Sequence, residues 1–173
     1  FFFHAHDGIR DCLLSRGLGD VYKRQAVGVA QAAKRQNRTF RSYVILGDGE
    51  LQEGQVWEAA MYAASNSLDN LCMIVDLNQL QVEGHTQEVM VMDPIDKKFQ
   101  AFGWAAKNVD GHDFGALSAA FNQARSNRNV PTVILAHTIV GKGIPFLENQ
   151  MSHNMVLPAD VAEQCLKALE CQA

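Results

Sequence analysis

The sequence lacks the features that would mark it for a membrane, an oxidising compartment or a nucleic acid. No run approaches the roughly 18 consecutive apolar residues of a membrane span. Its four cysteines form neither a C-x-x-C pair nor the spacing of zinc ligands, so we expect reduced thiols in a cytoplasmic protein. The net charge of -4 comes from dispersed charges of both signs, which disfavours nucleic acid and anionic membranes as partners.

What the sequence does contain is typical of one globular domain. Hydrophobic residues make up 47% of the chain and charged residues 20%. A chain of 173 residues is long enough to bury one sizeable core. Because nucleic acid and membrane are disfavoured, we expect a small metabolite as the binding partner.

The first 25 residues carry a segment that we expect to be foreign to the protein. The hexapeptide Asp20–Gln25 resembles the translation of a transposon end that is used in preparing DNA libraries. An artefactual segment carries no information about the fold of the protein. We therefore predict a domain over residues 26–173 that is incomplete on its N-terminal side, with residues 1–25 as a non-native segment. The alternative is a native, irregular N-terminal arm.

The order of apolar segments predicts a strand, a helix and a second strand. Tyr43–Leu46 is a continuous apolar run that stops at Gly47, as a buried parallel strand does. From Glu53 onward small apolar residues recur at helical spacing, and Leu71–Asp76 supplies a second buried strand. The segment has the length of a β-α-β crossover, so we expect a parallel sheet with a right-handed connection.

The rest of the chain continues the alternation of helices and strands. Further helices are predicted at Ala26–Lys34, Asp93–Phe102, Asp113–Arg125 and Pro158–Leu169, and further strands at Trp104–Val109 and Thr132–His137. Asp113 is the expected N-cap of its helix. The last helix is expected to place its apolar residues, among them Cys165, Leu166 and Leu169, on one face.

Two oxygen-bearing side chains follow the two strands of the β-α-β unit. Asp48 leaves the first strand through a glycine-flanked turn, and Asn78 lies two residues beyond the second. Ligands of open α/β sheets bind outside the carboxyl ends of the strands, so both oxygens are expected at one site. One Asp, one Asn amide and a backbone carbonyl suit Mg2+, whose remaining ligands are phosphate oxygens and water. A Gly-Asp-Gly triplet alone is also a common turn.

The neighbouring residues would accommodate a diphosphate. Gly47 and Gly49 would let the backbone approach such a group. The amides that open the helix near Glu53 would favour its negative charge.

A longer pattern of residues around these positions resembles the sequence fingerprint of a known family. The run Gly47–Ala59, followed by Leu71–Asp76 and Asn78–Gln81, resembles the thiamine-diphosphate fingerprint of transketolases. It is most similar to the N-terminal subunit of the transketolases whose two halves are separate chains. The resemblance continues through Val109–Asp113 and Ala136–Gly143 and covers roughly residues 26–158. It implies the thiamine-diphosphate-binding fold: an α/β, doubly wound, mostly parallel sheet with helices on both faces.

The resemblance also implies a set of site residues. The implied Mg2+ ligands are Asp48, the side chain of Asn78 and the carbonyl of Leu80, and the implied neighbours of the diphosphate are Gly47, Gly49 and Glu50. Glu53 matches an acidic residue near the interface between two active sites, with either a proton-relay or a structural role. His153 falls where the family has a catalytic histidine that reaches the diphosphate and the substrate. Ser152 and Asn154 depart there from the aromatic residue and the nearby glycine of the family.

The implied activity is transfer of a two-carbon ketol unit from a ketose phosphate to an aldose phosphate. The cofactors are thiamine diphosphate and Mg2+, and thiamine diphosphate carries out the carbon–carbon chemistry. The glutamate that activates the cofactor comes from a separate C-terminal subunit, the pyrimidine-binding half, in an assembly with two copies of each half.

Two alternatives remain open from the sequence. One is another thiamine enzyme, such as a 1-deoxyxylulose-5-phosphate synthase or a 2-oxo acid dehydrogenase component. Leu51–Gln55 and Gly141–Gly143 argue against it. The other is a non-catalytic pseudo-subunit that binds the cofactor without turnover.

Three histidines outside the motif have simpler expected roles. His112 is expected to organise the start of a helix with Asp113. His137, at a strand end, is expected to be a satisfied core residue or a neighbour of the ligand. His85 is expected on the surface of a tight turn over residues 81–85.

Overall fold

Four parallel strands form the main sheet, and two very short strands pair beside it. The computed structural model describes residues 19–151 and 156–170. The strands are β1 (Ser42–Gly47), β2 (Leu71–Leu77), β3 (Leu80–Gln81), β4 (Gly84–His85), β5 (Ala105–Asp110) and β6 (Thr132–His137). The helices are α1 (Gly19–Arg35), α2 (Gly54–Ser65), α3 (Thr86–Val89), α4 (Ile95–Ala101), α5 (Phe114–Ser126) and α6 (Ala159–Glu170), and a 3-10 helix spans Gly49–Gln52.

The main sheet has the strand order β1-β2-β6-β5, and its three strand pairs are all parallel. From β1 through β2 to β5 the chain moves across the sheet in one direction. It then returns one position, so that β6 lies between β2 and β5. Because parallel crossovers are right-handed, this reversal places α5 on the opposite face of the sheet from α2 and α4. The predicted α/β, doubly wound sheet with helices on both faces is confirmed.

Alternate residues of the central strands face two separate cores. Met73 and Val75 of β2 pack with α1, α2 and α4 on one face. Cys72, which points the opposite way in the period-two alternation, packs with Ala120 and Ala124 of α5 on the other. Burial raises the pKa of the Cys72 thiol to about 11, so this side chain stays protonated and behaves as a core residue.

Strand β1 departs from the predicted burial. Val44 and Leu46 are buried, but Tyr43 is 44% exposed and Ile45 72% exposed. The strand lies at the edge of the sheet, where Phe121 of α5 reaches the ring of Tyr43, with ring centres 6.1 Å apart, but leaves much of this face uncovered. A continuous apolar run therefore does not mean that both faces of this strand are covered within the described part of the chain.

The predicted helices and strands are present, with boundaries shifted by a few residues. Asp113 caps α5 as expected, since its carboxylate accepts the N–H groups of Gly115 at 2.8 Å and Ala116 at 3.0 Å. Helix α1 begins at Gly19, so the expected boundary after residue 25 falls inside a helix and stays a prediction.

The last helix differs from its expected burial. Of its apolar face, Cys165 is buried, but Leu166 is 62% exposed and Leu169 45% exposed. Helical periodicity identifies an apolar face without determining how much of it the rest of the chain covers. No helix in residues 19–151 and 156–170 is long and apolar enough to cross a membrane.

Asp69 ties three distant segments together at the amino ends of the strands. Its carboxylate lies 3.0 Å from Nζ of Lys34 and accepts the N–H of Asn129 at 2.9 Å. Partial burial raises the pKa of Asp69, but the hydrogen bond from Asn129 and the charges of Lys34 and Arg41 outweigh burial, and the net pKa is lowered. The ionised carboxylate therefore stabilises the folded state.

We expect Asp69→Asn to lower the free energy of unfolding at pH 7 by about 1–2 kcal/mol. The folded-state pKa lies below the unfolded value, so the contribution of Asp69 is fully present above the unfolded value near 3.8 and is lost as the pH falls through the folded one. Urea unfolding of both proteins at neutral and acidic pH would show the difference shrinking on acidification. The matched control is Glu163→Gln, which removes an exposed ion pair with Lys167 and is expected to cost less than about 0.5 kcal/mol. A difference that persists unchanged at acidic pH would contradict this account.

Candidate functional site

The turn after β1 and the loop after β2 meet at the carboxyl edge of the sheet. Gly47 and Asp76 are partners in the register of these two strands. One residue further on, the N–H of Asp48 donates to the carbonyl of Asp76 at 3.1 Å. Adjacent parallel strands end at the same edge, so the predicted convergence of Asp48 and Asn78 follows from the strand pairing.

Asp48 is the central side chain of this edge and is only 4% exposed. Its Oδ1 accepts the N–H of Gly49 at 2.8 Å, and its Oδ2 accepts the N–H of Gln79 at 2.7 Å. Gln79 has a φ of 63°, a left-handed conformation that is uncommon for a residue with a side chain. The hydrogen bond across the two loops holds this conformation, so Asp48 both presents a carboxylate and shapes the loop that carries Asn78.

The electrostatic environment of Asp48 suits a cation. Burial raises the pKa of Asp48, and the neighbouring carboxylate of Asp76 raises it further. The N–H groups of Gln79 and Gly49 act in the opposite direction without cancelling the rise. Two carboxylates that approach each other in a partly buried site are stabilised by a positive charge between or beside them.

Asn78 and Leu80 follow directly in the same loop. Oδ1 of Asn78 accepts the N–H of Leu80 at 2.9 Å, and Nδ2 donates to Oδ2 of Asp76 at 3.2 Å. Leu80 begins the small hairpin in which β3 pairs with β4, so the predicted tight turn over residues 81–85 is present, and His85 is exposed on it as expected. The structure brings together Asp48, Asn78 and Leu80, the three predicted metal ligands.

The predicted neighbours of the diphosphate lie in the turn that contains Asp48. Oε2 of Glu50 accepts the N–H of Gly47 at 2.7 Å, so the side chain of Glu50 folds back over the start of the turn. A Cβ on Gly49 would lie 3.1 Å from Cβ of Gln81, closer than ordinary contact. Glycine at position 49 therefore allows the turn after β1 to lie against the hairpin.

The structure describes only one of the two predicted catalytic residues. Glu53 lies between the 3-10 helix and α2, is partly buried, and accepts a hydrogen bond from Nε2 of Gln55 at 2.9 Å. His153 lies outside the described residues. The roles of both stay predictions.

A cavity of about 440 Å³ opens beside Asp76 and Asn78. Its rim is completed by the loop after β6, with Thr138, Ile139 and Val140. The hydroxyl of Thr138 donates a hydrogen bond to Oδ1 of Asp76. Asp76 and Thr138 were not singled out as site residues from the sequence, because an Asp at a strand end and a Thr in a loop carry no distinctive local pattern.

His112 has a different role from the expected one. Asp113 alone caps α5, while Nε2 of His112 accepts the N–H of Ile139 at 2.8 Å. A Cβ on the preceding Gly111 would collide with the side chain of Thr138. The loop after β5 thus packs directly on the loop after β6, and His112 supports the rim of the cavity. His137 is exposed and its Nε2 is hydrogen bonded to Oδ1 of Asn108, so it is satisfied but is not a core residue.

The side chains present fit a magnesium diphosphate better than a transition metal. Within residues 19–151 and 156–170 no three His, Cys, Asp or Glu side chains come together in a group that would hold a metal ion. One carboxylate, one amide oxygen and a backbone carbonyl are the donors that Mg2+ takes when phosphate and water supply the rest. The N–H of Gly47 is engaged by the carboxylate of Glu50, at 2.7 Å.

The fold and the loops that meet at the carboxyl edge of its sheet are typical of α/β domains that bind a ligand there. The chain belongs to the transketolase family: residues 17–172 match the family model described as "Transketolase, thiamine diphosphate binding domain". The predicted resemblance is confirmed, and thiamine diphosphate is the ligand that the family binds.

Curated relatives agree with this membership. The chain is 40% identical over 146 residues to the 6-deoxy-6-sulfo-D-fructose transketolase subunit SqwG of Clostridium sp. (strain MSTE9), covering 84% of this chain and 53% of that protein. It is equally 40% identical to one of the subunits of an apulose-4-phosphate transketolase from Actinobacillus succinogenes, covering 84% of this chain and 52% of the relative. The chain thus spans about half the length of these two relatives.

Solved structures agree as well. A transketolase from Campylobacter jejuni superposes with a TM-score of 0.81 at 29% identity, over 88% of this chain and 25% of that one. A transketolase from Pichia stipitis superposes with a TM-score of 0.77 at 27% identity, over 88% of this chain and 24% of that one. The shared region is the domain described above.

Proposed function

We propose that this chain is the N-terminal subunit of a transketolase that binds thiamine diphosphate and Mg2+. It would transfer a two-carbon ketol unit from a ketose phosphate to an aldose phosphate together with a separate pyrimidine-binding subunit. The observation that carries the proposal is the hydrogen bond from Gln79 N–H to Asp48 Oδ2, at 2.7 Å. It joins the two halves of the family motif in one site and brings the carboxylate next to the Asn78 loop.

The residues of this chain have separate tasks in the proposal. Asp48, the Asn78 side chain and the Leu80 carbonyl hold Mg2+, and Gly47, Gly49 and Glu50 lie against the diphosphate. When bound, thiamine diphosphate supplies the carbon nucleophile and accepts the electron pair of the broken carbon–carbon bond. Glu53 and His153 are the proposed groups for proton handling and for stabilising charge on substrate oxygens.

The partner is proposed from the names of the relatives. Two relatives that the chain matches over about half their length are themselves named transketolase subunits. A C-terminal subunit would contribute the pyrimidine-binding half, in an assembly with two copies of each chain. We place this assembly in the cytoplasm, in keeping with the free thiols of Cys72 and Cys165.

The test is reconstitution of the purified chain with a C-terminal transketolase subunit from the same organism. Ketol transfer is measured with a ketose phosphate donor and an aldose phosphate acceptor, in the presence of Mg2+ and thiamine diphosphate. We expect turnover from the mixture and none from either chain alone or without Mg2+. Activity of the isolated chain would contradict the need for a partner.

The same assay separates the two alternatives. Turnover with pyruvate as donor in place of a ketose phosphate would indicate a 1-deoxyxylulose-5-phosphate synthase. Binding of thiamine diphosphate without turnover in any mixture would indicate a pseudo-subunit. Either result would replace the proposal.

A further inference from the structure

Asp76, the second-last residue of β2, has no role in the function proposed above, yet its carboxylate touches the site. One carboxylate oxygen accepts a hydrogen bond from Nδ2 of Asn78, at 3.2 Å, and the other accepts one from the hydroxyl of Thr138. Its main-chain carbonyl accepts the N–H of Asp48 at 3.1 Å. Asp76 thus connects the loops that follow β1, β2 and β6.

We propose that Asp76 is a positioning residue that fixes the orientation of the Asn78 amide, so that its oxygen and not its NH2 group faces the metal. This inference rests on the proposed function and deepens it by naming a group that acts through a metal ligand. Asp76 itself is not proposed to touch the metal or the substrate.

The chemistry of the amide explains why orientation matters. An Asn side chain presents an oxygen on one side and an NH2 group on the other, and only the oxygen can bind Mg2+. An ionised carboxylate accepts hydrogen bonds but donates none, so Asp76 can pair only with the NH2 side. The N–H of Leu80 pairs with the oxygen at 2.9 Å and leaves that oxygen a second lone pair. Both hydrogen bonds favour the same orientation of the Asn78 amide, with its NH2 group toward Asp76 and its oxygen toward the N–H of Leu80.

Thr138, in the loop after β6, completes the arrangement. Its hydroxyl donates to the carboxylate oxygen of Asp76 that Asn78 does not use. Its main-chain N–H donates to the carbonyl of Leu77 at 3.2 Å, which holds the Thr138 loop against the end of β2. With both oxygens engaged, the Asp76 carboxylate is held in the rotation that Asn78 requires.

Two other roles would leave the same contacts in the structure. Asp76 could act only as a structural link between the ends of β2 and β6. It could also act only as a negative charge that attracts the cation. The three roles make different predictions for the affinity of Mg2+, measured by calorimetric titration of Mg2+ into the two-subunit enzyme with saturating thiamine diphosphate.

The first comparison is between Asp76→Ala and Asp76→Asn. The alanine removes the acceptor, and we expect Mg2+ to bind about 10–100-fold more weakly, the usual loss for a group that orients a metal ligand. The asparagine can offer its oxygen to Asn78 and its NH2 group to the Thr138 hydroxyl, so we expect affinity close to that of the wild type. The matched control is Asp110→Ala, which removes a carboxylate from the end of β5, where it accepts the N–H of His112 at 2.8 Å, and should leave Mg2+ affinity unchanged.

The second comparison repeats Asp76→Ala in an Asn78→Asp background. A carboxylate at position 78 has two equivalent oxygens and needs no orienting partner. We expect Asp76→Ala to weaken Mg2+ binding in the wild-type background and not in the Asn78→Asp background. A purely structural link would be lost equally in both.

The outcomes are distinguishable. Equal losses of Mg2+ affinity for Asp76→Ala and Asp76→Asn would show that Asp76 acts through its charge. Equal losses of Mg2+ affinity for Asp76→Ala in the wild-type and Asn78→Asp backgrounds would show that it acts as a structural link. Either result overturns the inference. Thr138→Val is the milder variant if Asp76→Ala does not fold, and unchanged Mg2+ affinity there would also overturn it. If wild-type protein binds no Mg2+ with thiamine diphosphate, the proposed function fails and this inference with it. If it binds and the variants match it, only the inference fails.

Discussion

Replacing Asp48 by alanine is expected to abolish Mg2+-dependent binding of thiamine diphosphate. The change removes the charged ligand that we propose for Mg2+, for which we expect a loss of affinity greater than about 100-fold, beyond that of an orienting residue. It also leaves the N–H groups of Gly49 and Gln79 without their acceptor. Gln79 then loses the contact that holds its left-handed conformation, so the loop carrying Asn78 is disturbed together with the ligand set.

The measurement is calorimetric titration of thiamine diphosphate with Mg2+ into the chain mixed with its partner subunit. Asp48→Asn separates the two effects, since it keeps an acceptor for one N–H but removes the charge. The matched control is Asp113→Ala, because Asp113 also accepts two main-chain N–H groups, at the start of α5. We expect it to cost about 1 kcal/mol of stability and no cofactor affinity. Undiminished binding by both Asp48 variants would remove Asp48 from the metal site.

Replacing Phe99 by alanine is expected to destabilise the domain by about 3–5 kcal/mol. Phe99 is fully buried, and its ring centre lies 5.1 Å from that of Trp57 and 5.5 Å from that of Trp104. Truncation removes aromatic contacts on both sides and leaves a cavity that the surrounding helices fill only in part. Trp104 also donates from Nε1 to the carbonyl of Ala60 at 2.9 Å, so disturbance of its ring is transmitted to α2.

Urea unfolding, with slope and midpoint compared, is the measurement for Phe99→Ala. The matched control is Phe114→Ala in α5, where the side chain is 85% exposed and we expect less than about 0.5 kcal/mol. Phe99→Leu is expected to cost less than alanine and remains measurable if the alanine variant is largely unfolded. Similar costs for Phe99→Ala and Phe114→Ala would contradict the assignment of the aromatic cluster as the centre of this core.

The elements of the fold could be predicted because their signals are local. Asp113 was identified as a helix cap from its position before a periodic segment, and the structure shows its carboxylate accepting two N–H groups. The parallel sheet followed from the length of the β-α-β unit. Burial was predicted less well: Ile45 lies in a continuous apolar run but is 72% exposed at the sheet edge. A strand's apolar content does not specify its place in the sheet.

For the site too, contacts between consecutive elements could be predicted, whereas contacts that depend on the strand order of the sheet could not. The position of Asp48 and Asn78 after two consecutive strands was sufficient to predict that they meet, since adjacent parallel strands end at one edge. The contact of His112 with Ile139 was missed, because it depends on β5 and β6 being neighbours. The local sequence favoured pairing of His112 with Asp113 instead.

The sequence by itself determined the helices and strands, the family, and the residues expected to hold Mg2+ and the diphosphate. These follow from periodicity, from capping chemistry and from a motif whose members are close along the chain or separated by one crossover. Only the tertiary structure decided that Thr138 reaches Asp76. The physical reason is that β6 inserts between β2 and β5, and this strand order results from packing the whole sheet between helices rather than from any local pattern.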